Sequence, residues 1–209
     1  MSEDALPTPI LPRWERLRMF SVWSFWIGVS FFGVYPTMNW ITSLRAVRLH
    51  LYVQAELAIP FVPQFIWAYL SMYVLFFMPL IFVPTARMPA LGKQLIAGSL
   101  ISAMFFLVLP AELGFVRTVP ATAPYAALFA GIFGIDHPFN LVPSLHVIYT
   151  TAITLACADF ARPPARFALL LWLVVVVAST LLVHQHHLLD VAAALAIVWY
   201  LRRRYEVIE

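Results

Sequence analysis

Two short stretches of this very apolar chain carry the side chains with which a protein does chemistry. His146 lies in one stretch, and His186 and Asp190, four residues apart, lie in the other. A spacing of four puts two side chains on the same face of a helix. An aspartate that accepts the N–H of one imidazole nitrogen fixes the tautomer and leaves the other nitrogen free as a nucleophile or base. An ordinary polar pair within a packed bundle is the alternative.

Arg117 adds a cation, because it lies on the connection that precedes His146. A guanidinium clamps phosphate with two parallel hydrogen bonds. Helix starts, such as those expected near Ser144 and His186, offer backbone N–H groups to an anion. We therefore expect a site that handles an anionic group. For Arg117, an outer-loop charge that only contacts lipid phosphate is the alternative.

A metal centre is the competing interpretation, since His184 and His187 flank His186 and the three imidazoles together are possible zinc ligands. On a helix, however, these side chains point in widely different directions. A metal on His186 would also block its use as a nucleophile. We expect no metal and no cofactor. Asp136 and His137 precede the site, and we expect them only to cap its entrance.

The composition of the chain indicates a membrane protein. Of the 209 residues, 63% are apolar and 11% are charged, whereas soluble domains have about 45–50% apolar and about 25% charged residues. The mean hydropathy is +0.87. These values exclude a soluble enzyme, a nucleic-acid binder and a disordered linker, and they make the lipid bilayer the expected partner. A single cysteine, Cys157, excludes an internal disulfide.

Six apolar segments are candidate membrane spans, and they predict an all-α, six-transmembrane helix bundle. They are Phe20–Tyr35, Phe65–Val83, Leu91–Leu109, Leu145–Phe160, Ala165–Val183 and Leu188–Leu201. No small-residue cleavage site follows the first, so we expect a retained anchor. Residues 1–18 are predicted to be a cytoplasmic segment, 19–204 a single membrane domain and 205–209 a cytoplasmic tail.

The distribution of basic residues predicts the orientation. With six crossings, Arg45, Arg48 and Arg117 fall on one side and the remaining ten of 13 Lys and Arg on the other, which places both termini in the cytoplasm. His146 and His186 then both lie at the outer face, and we expect a bacterial inner membrane. Within the first outer connection, Ile41–Leu57 predicts an amphipathic helix on the membrane surface. A solvated loop helix is the alternative.

Two motifs in these stretches resemble those of a known family. Pro143-Ser144-Leu145-His146, and the stretch from Ser179 to Asp190 with its His-x3-Asp ending, resemble the second and third motifs of the membrane-embedded type 2 phosphatidic acid phosphatase superfamily. Ile59-Pro60-Phe61-Val62-Pro63 and the Gln185-His186 pair are similar to the branch related to inositol phosphorylceramide synthase. The resemblance covers most of Ile59 to Arg204.

The resemblance implies a role for each matching residue. His186 would attack phosphorus and become a phosphohistidine, Asp190 would orient it, and His146 would protonate the leaving lipid oxygen. Ser144 would donate a hydrogen bond to the phosphoryl group, and Ser179 and Thr180 would line the phosphate site.

Two cations of the family pattern are absent. Pro110 stands in place of the first-motif lysine, and Thr180 stands in place of the third-motif arginine. In addition, Thr118 replaces the proline that follows the first-motif arginine. Arg117 is the predicted remaining cation. Hydroxyls such as those of Ser179 and Thr180 often bond a carbonyl one turn earlier instead.

These observations predict an integral-membrane lipid phosphatase that acts on a lipid phosphate at the outer face. Transfer of a phospho-headgroup to an alcohol or second lipid is the close alternative, because a less cationic site suits a phosphodiester. We expect hydrolysis in preference to transfer, because water, unlike an alcohol or a second lipid, needs no binding pocket of its own. A lipid transporter or scramblase is disfavoured by the lack of an inverted repeat, and a pseudoenzyme by the intact His146, His186 and Asp190.

Overall fold

The computed structural model describes residues 13–205, and within this range the chain is helical with no β-strand. The predicted all-α class is confirmed. The α-helices are α1 (Arg13–Ser43), α2 (Ile66–Leu70), α3 (Met72–Leu75), α4 (Pro79–Phe82), α5 (Met88–Val108), α6 (Tyr125–Ile135), α7 (Leu145–Phe160), α8 (Pro163–Leu182) and α9 (Leu188–Tyr205). Turns of 3-10 helix lie at Gln54–Ala58, Pro63–Phe65 and Thr85–Arg87.

Three stretches of helix in the described range are long and apolar enough to cross a bilayer: Arg13–Ser43, Thr85–Val108 and Pro163–Leu182. α6 and α7 are shorter apolar helices, and α9 carries three arginines in its last turn. Helices thus cover the first, third, fourth, fifth and sixth predicted segments, while the count of six crossings stays a prediction.

The second predicted segment, Phe65–Val83, is not one continuous helix. α2, α3 and α4 follow one another with short breaks, at which Val74 and Met78 donate their N–H groups three residues back, to Ser71 and Leu75. Pro79 lacks a backbone donor, and Ser71 donates its hydroxyl to the Ala68 carbonyl. The path therefore stays helical but tightens into 3-10 geometry at the breaks.

The amphipathic surface helix predicted over Ile41–Leu57 is wrong. α1 continues to Ser43, and the chain beyond it pairs with a distant segment: the N–H of Leu49 donates to the Pro110 carbonyl and the Leu49 carbonyl accepts from Glu112. Arg48 donates to the Ser43 carbonyl at the end of α1. Because tertiary partners satisfy these backbone groups, helix is not required here.

α7 is the central helix and packs against α5, α8 and α9. Between Leu145 and Ala158, only His146 and Leu155 are not buried. α1 packs along α5, and a Cβ on Gly92 would lie 2.1 Å from the Trp23 ring, so this close approach requires glycine. The packing gives α7 a fixed place from which His146 reaches the site.

Candidate active site

His186 and Asp190 form a buried pair at the start of α9. His186 Nδ1 lies 3.0 Å from Asp190 Oδ2, and the side chains are 5% and 1% exposed. The same carboxylate oxygen accepts the backbone N–H of His187 at 2.9 Å. A carboxylate accepts only, so Nδ1 carries the proton and Nε2 keeps its lone pair. The predicted contact therefore forms, although His186 precedes the helix instead of lying within it.

The turn before α9 is held by the end of α8. The Thr180 carbonyl accepts the N–H groups of Gln185 and His186, at 3.0 and 3.1 Å. His184 adopts the left-handed conformation, with φ 56°, which reverses the chain as at many helix ends. The ring of His184 is held by the Ile59 carbonyl, 2.9 Å from Nε2. His186 is thus positioned by backbone hydrogen bonds from α8.

His187 clamps the site to two connections between helices, those that carry Glu56 and Gly114. Its Nδ1 lies 3.2 Å from Glu56 Oε2, and its Nε2 accepts the N–H of Gly114 at 3.1 Å, which makes it a neutral imidazole protonated on Nδ1. Burial lowers the pKa of His187, against the raising effect of Asp190 and Glu56. Sequence reasoning assigned His187 only a weak metal role and missed this contact.

Four rings stack over this clamp. His187 lies between Tyr52 and Phe115, at centroid distances of 4.6 and 4.5 Å. Phe115 also stacks on His184 at 4.0 Å. A Cβ on Gly114 would lie 2.5 Å from the Tyr52 ring. The two histidines that flank His186 are therefore packed against aromatic rings.

Glu56 closes the clamp from the first connection. Its carboxylate accepts the N–H groups of Leu188 and Val53, at 2.7 and 3.0 Å. Burial raises the pKa of Glu56, but the hydrogen bonds from Leu188, Val53 and His187 outweigh it and the net pKa is lowered. An anion at the first turn of α9 also complements the helix dipole. No local sequence signal pairs Glu56 with α9.

α7 brings the second histidine to the pair. Ser144 caps this helix, since its Oγ accepts the Val147 N–H at 3.3 Å, and its own N–H donates to the Asp190 carbonyl at 3.2 Å. This link joins the starts of α7 and α9. The rings of His146 and His186 lie 5.8 Å apart between centroids. The predicted meeting of the two helix starts is thus present in the structure.

Arg117 reaches the same place from the second connection. Its guanidinium donates to Gln185 Oε1 at 3.4 Å and to the backbone carbonyl of Asp136, and it lies over the Phe133 ring. Its Nε is buried without a partner in the part of the chain that the structure describes. Burial lowers the pKa of Arg117, yet a guanidinium stays charged in proteins. The predicted cation therefore lies beside the residue that precedes His186.

The hydroxyls of Ser179 and Thr180 have partners inside α8. Ser179 donates to the Val176 carbonyl at 2.6 Å and Thr180 to the Val177 carbonyl at 2.8 Å. Both residues are fully buried. Their phosphate-binding role stays a prediction. In the structure, Thr180 contributes its backbone carbonyl, which holds the turn before His186.

A large apolar cavity opens beside His146. Its volume is about 1150 Å³, and aromatic and aliphatic side chains of α1, α5, α6 and α7 line most of it. Its polar lining includes Tyr35, Tyr69, Asp136 and His146. The tyrosines were missed by sequence reasoning, and Asp136 is more than the entrance cap we expected, because both tyrosines contact its carboxylate.

Among residues 13–205, no three His, Cys, Asp or Glu side chains are grouped as a metal ion would require. Comparison with protein-family models, with curated proteins and with solved structures finds no match.

Proposed function

We propose that this chain is an integral-membrane enzyme that hydrolyses a lipid phosphate through a phosphohistidine on His186. The observation that carries the proposal is the buried His186–Asp190 pair, with the His146 ring 5.8 Å from that of His186. Arg117 supplies positive charge beside it. The resemblance to the type 2 phosphatidic acid phosphatase superfamily in the same residues supports this assignment.

The chemistry has two steps. In the first, Nε2 of His186 attacks phosphorus, the N–P bond forms, the bond from phosphorus to the lipid oxygen breaks, and His146 gives that oxygen a proton. In the second, water attacks phosphorus, His146 takes a proton from it, and the N–P bond breaks. Phosphoryl transfer depends mainly on positioning and on stabilising charge, which Asp190 and Arg117 provide.

The cavity is suited to the lipid part of the substrate. At about 1150 Å³ it exceeds the range of about 300–1,000 Å³ that is usual for small-molecule pockets. Its apolar lining matches acyl chains, and its polar lining includes His146, the proposed acid. A lipid in the cavity would thus present its ester oxygen to His146.

The membrane arrangement belongs to the same proposal. Six crossings, with both termini in the cytoplasm of a bacterial cell, would place His146, His186 and Arg117 at the outer face of the inner membrane. The excess of Lys and Arg on the opposite side supports this orientation.

Transfer of a phospho-headgroup to an alcohol or to a second lipid is the second candidate. The feature that favours it is the low positive charge of the site, in which Arg117 is the predicted cation while Pro110 and Thr180 replace basic residues of the family pattern. A phosphodiester carries one negative charge and a phosphomonoester nearly two. Such a site suits the diester better.

The test is a product analysis with purified protein. A panel of lipid phosphates and phosphodiesters is incubated with and without alcohols or diacylglycerol, and the products are followed by mass spectrometry. We expect phosphate release that added alcohol does not lower. A transferred headgroup that replaces free phosphate would favour the second candidate.

His186→Gln should abolish turnover and an acid-labile phosphoenzyme, whereas His50→Gln, at an exposed histidine paired with Glu112, should keep both. Wild-type rates in His186→Gln would contradict the mechanism.

A further inference from the structure

A tyrosine from a distant part of the chain holds the proposed general acid. The Tyr69 hydroxyl lies 2.7 Å from His146 Nε2, and the rings tilt against each other at a centroid distance of 4.8 Å. Tyr69 is on α2 and is 2% exposed. Within residues 13–205 this is the only hydrogen bond to the His146 ring. The orientation of His146 therefore depends on Tyr69.

Asp136 stands behind this tyrosine. Its Oδ2 lies 3.5 Å from the Tyr69 hydroxyl, and its Oδ1 accepts the hydroxyl of Tyr35. The Asp136 backbone carbonyl accepts from Arg117. A carboxylate accepts hydrogen bonds and cannot donate them. The Asp136 carboxylate can therefore accept the Tyr69 O–H, and an O–H that points to Asp136 leaves the oxygen lone pairs free to accept from His146 Nε2.

With the Tyr69 O–H on Asp136, the two nitrogens of His146 have different roles. An Nε2–H that donates to the Tyr69 oxygen is satisfied whether or not Nδ1 carries a proton. The negative charge of Asp136, one hydroxyl away, favours the imidazolium that the proposed mechanism requires before the first step and after proton uptake in the second. A buried N–H without an acceptor would be costly. Nδ1 is thus the nitrogen that remains for proton exchange.

We propose that Tyr69 is a positioning residue for His146, which holds Nε2–H with Asp136 behind it and reserves Nδ1 for proton transfer to and from the reacting oxygens. The inference rests on the proposed function, because it assigns the acid and base of that reaction. Tyr69 acts through His146 and is distinct from the Asp190–His186 pair.

The activity test is a double-mutant cycle with two substrates. With an alkyl leaving group, which needs a proton, Tyr69→Phe should lower kcat roughly ten- to a hundredfold, the effect of one hydrogen bond to a charged group. With an acidic aryl leaving group, the loss should be small, because protonation matters little there. Tyr69→Phe added to His146→Ala should cause no further loss, since residues that act as a unit are not additive.

Tyr125→Phe is the matched control. Tyr125 packs against the same hydrophobic cluster as Tyr69, and the described residues include no hydrogen-bond partner for its hydroxyl. This variant should behave as wild type with both substrates. Equal loss in the two tyrosine variants, or a loss from Tyr69→Phe that adds to that of His146→Ala, would overturn the inference.

A spectroscopic measurement tests the contact without turnover. In protein with 15N-labelled histidine, we expect His146 to have its proton on Nε2, and its Nε2 resonance to move in Tyr69→Phe but not in Tyr125→Phe. An unchanged resonance would refute the contact. If wild type hydrolyses and transfers nothing, the proposed function fails. If turnover requires His146 but is indifferent to Tyr69, only the present inference fails.

Discussion

Replacing Asp190 with asparagine changes the charge behind His186 and leaves the shape of the site nearly intact. Asp190 Oδ2 accepts from His186 Nδ1 at 3.0 Å and from the His187 N–H at 2.9 Å. An amide oxygen in the same place can still accept both, so we expect Asp190→Asn to fold. The lost charge matters in the reaction, because the imidazole ring of a phosphohistidine that keeps its Nδ1–H is cationic.

The size of the effect follows from these contacts. A hydrogen bond to a charged group contributes about 1.5–3 kcal/mol, which corresponds to a loss of roughly ten- to a hundredfold in rate. If the amide turns its NH2 group toward Nδ1, the tautomer is reversed, and a comparable change in a serine-protease triad lowers kcat by about 10⁴-fold. We therefore expect kcat to fall by at least about tenfold.

The assay is phosphate release from a lipid phosphate in detergent micelles, with thermal unfolding measured on the same samples. Asp159→Asn is the control, because Asp159 also has a largely buried carboxylate, paired with Arg202 at 3.0 Å, at the other end of α7. It should keep wild-type activity. Wild-type turnover in Asp190→Asn, or an equal loss in Asp159→Asn, would refute the reasoning.

Three further predictions concern the clamp and the membrane. Because the pKa of His187 is lowered in the folded state, its stabilising effect is present above the unfolded pKa of about 6.5 and is lost as the pH falls below it. The thermal midpoint should thus fall from pH 7 to 5 in wild type and less in His187→Gln; parallel curves would contradict this. In Gly114→Ala, a Cβ would lie 2.5 Å from an aromatic ring, and we expect a lower midpoint, which an unchanged melting curve would disprove. In a Cys157→Ala background, His137→Cys should react with an impermeant thiol reagent in intact cells and Arg203→Cys should not; reversed labelling would invert the orientation.

Much of the helical framework was predictable from sequence. Leu145–Phe160 is both the predicted segment and α7, because Ser144 caps the helix and the following residues are mostly apolar. The long apolar segments sufficed for the all-helical class, because a helix that spans a membrane needs about 20 apolar residues whereas a spanning β-strand needs about 9–11. The contact of His186 with Asp190 was also accessible, because a spacing of four is a local property of the chain.

Other features depended on distant partners. Ile41–Leu57 has a helix-like pattern, yet Leu49 pairs with Pro110 and Glu112, and such pairing leaves no periodicity to read. In the second predicted span, the breaks arise where Ser71 and Pro79 alter the hydrogen-bond ladder. A hydropathy pattern reports which residues prefer lipid and does not report where the ladder tightens.

The same distinction, between local features and features that depend on distant partners, applies to the chemistry of the site. Sequence alone determined which residues have reactive side chains and that His146, His186 and Asp190 stand at two helix starts. Only the tertiary structure decided that Tyr69 and Asp136 stand behind His146 and that Glu56 lies against α9. The physical reason is that a hydrogen bond between residues far apart in the chain depends on how whole helices and connections pack, and no spacing of residue types encodes that packing.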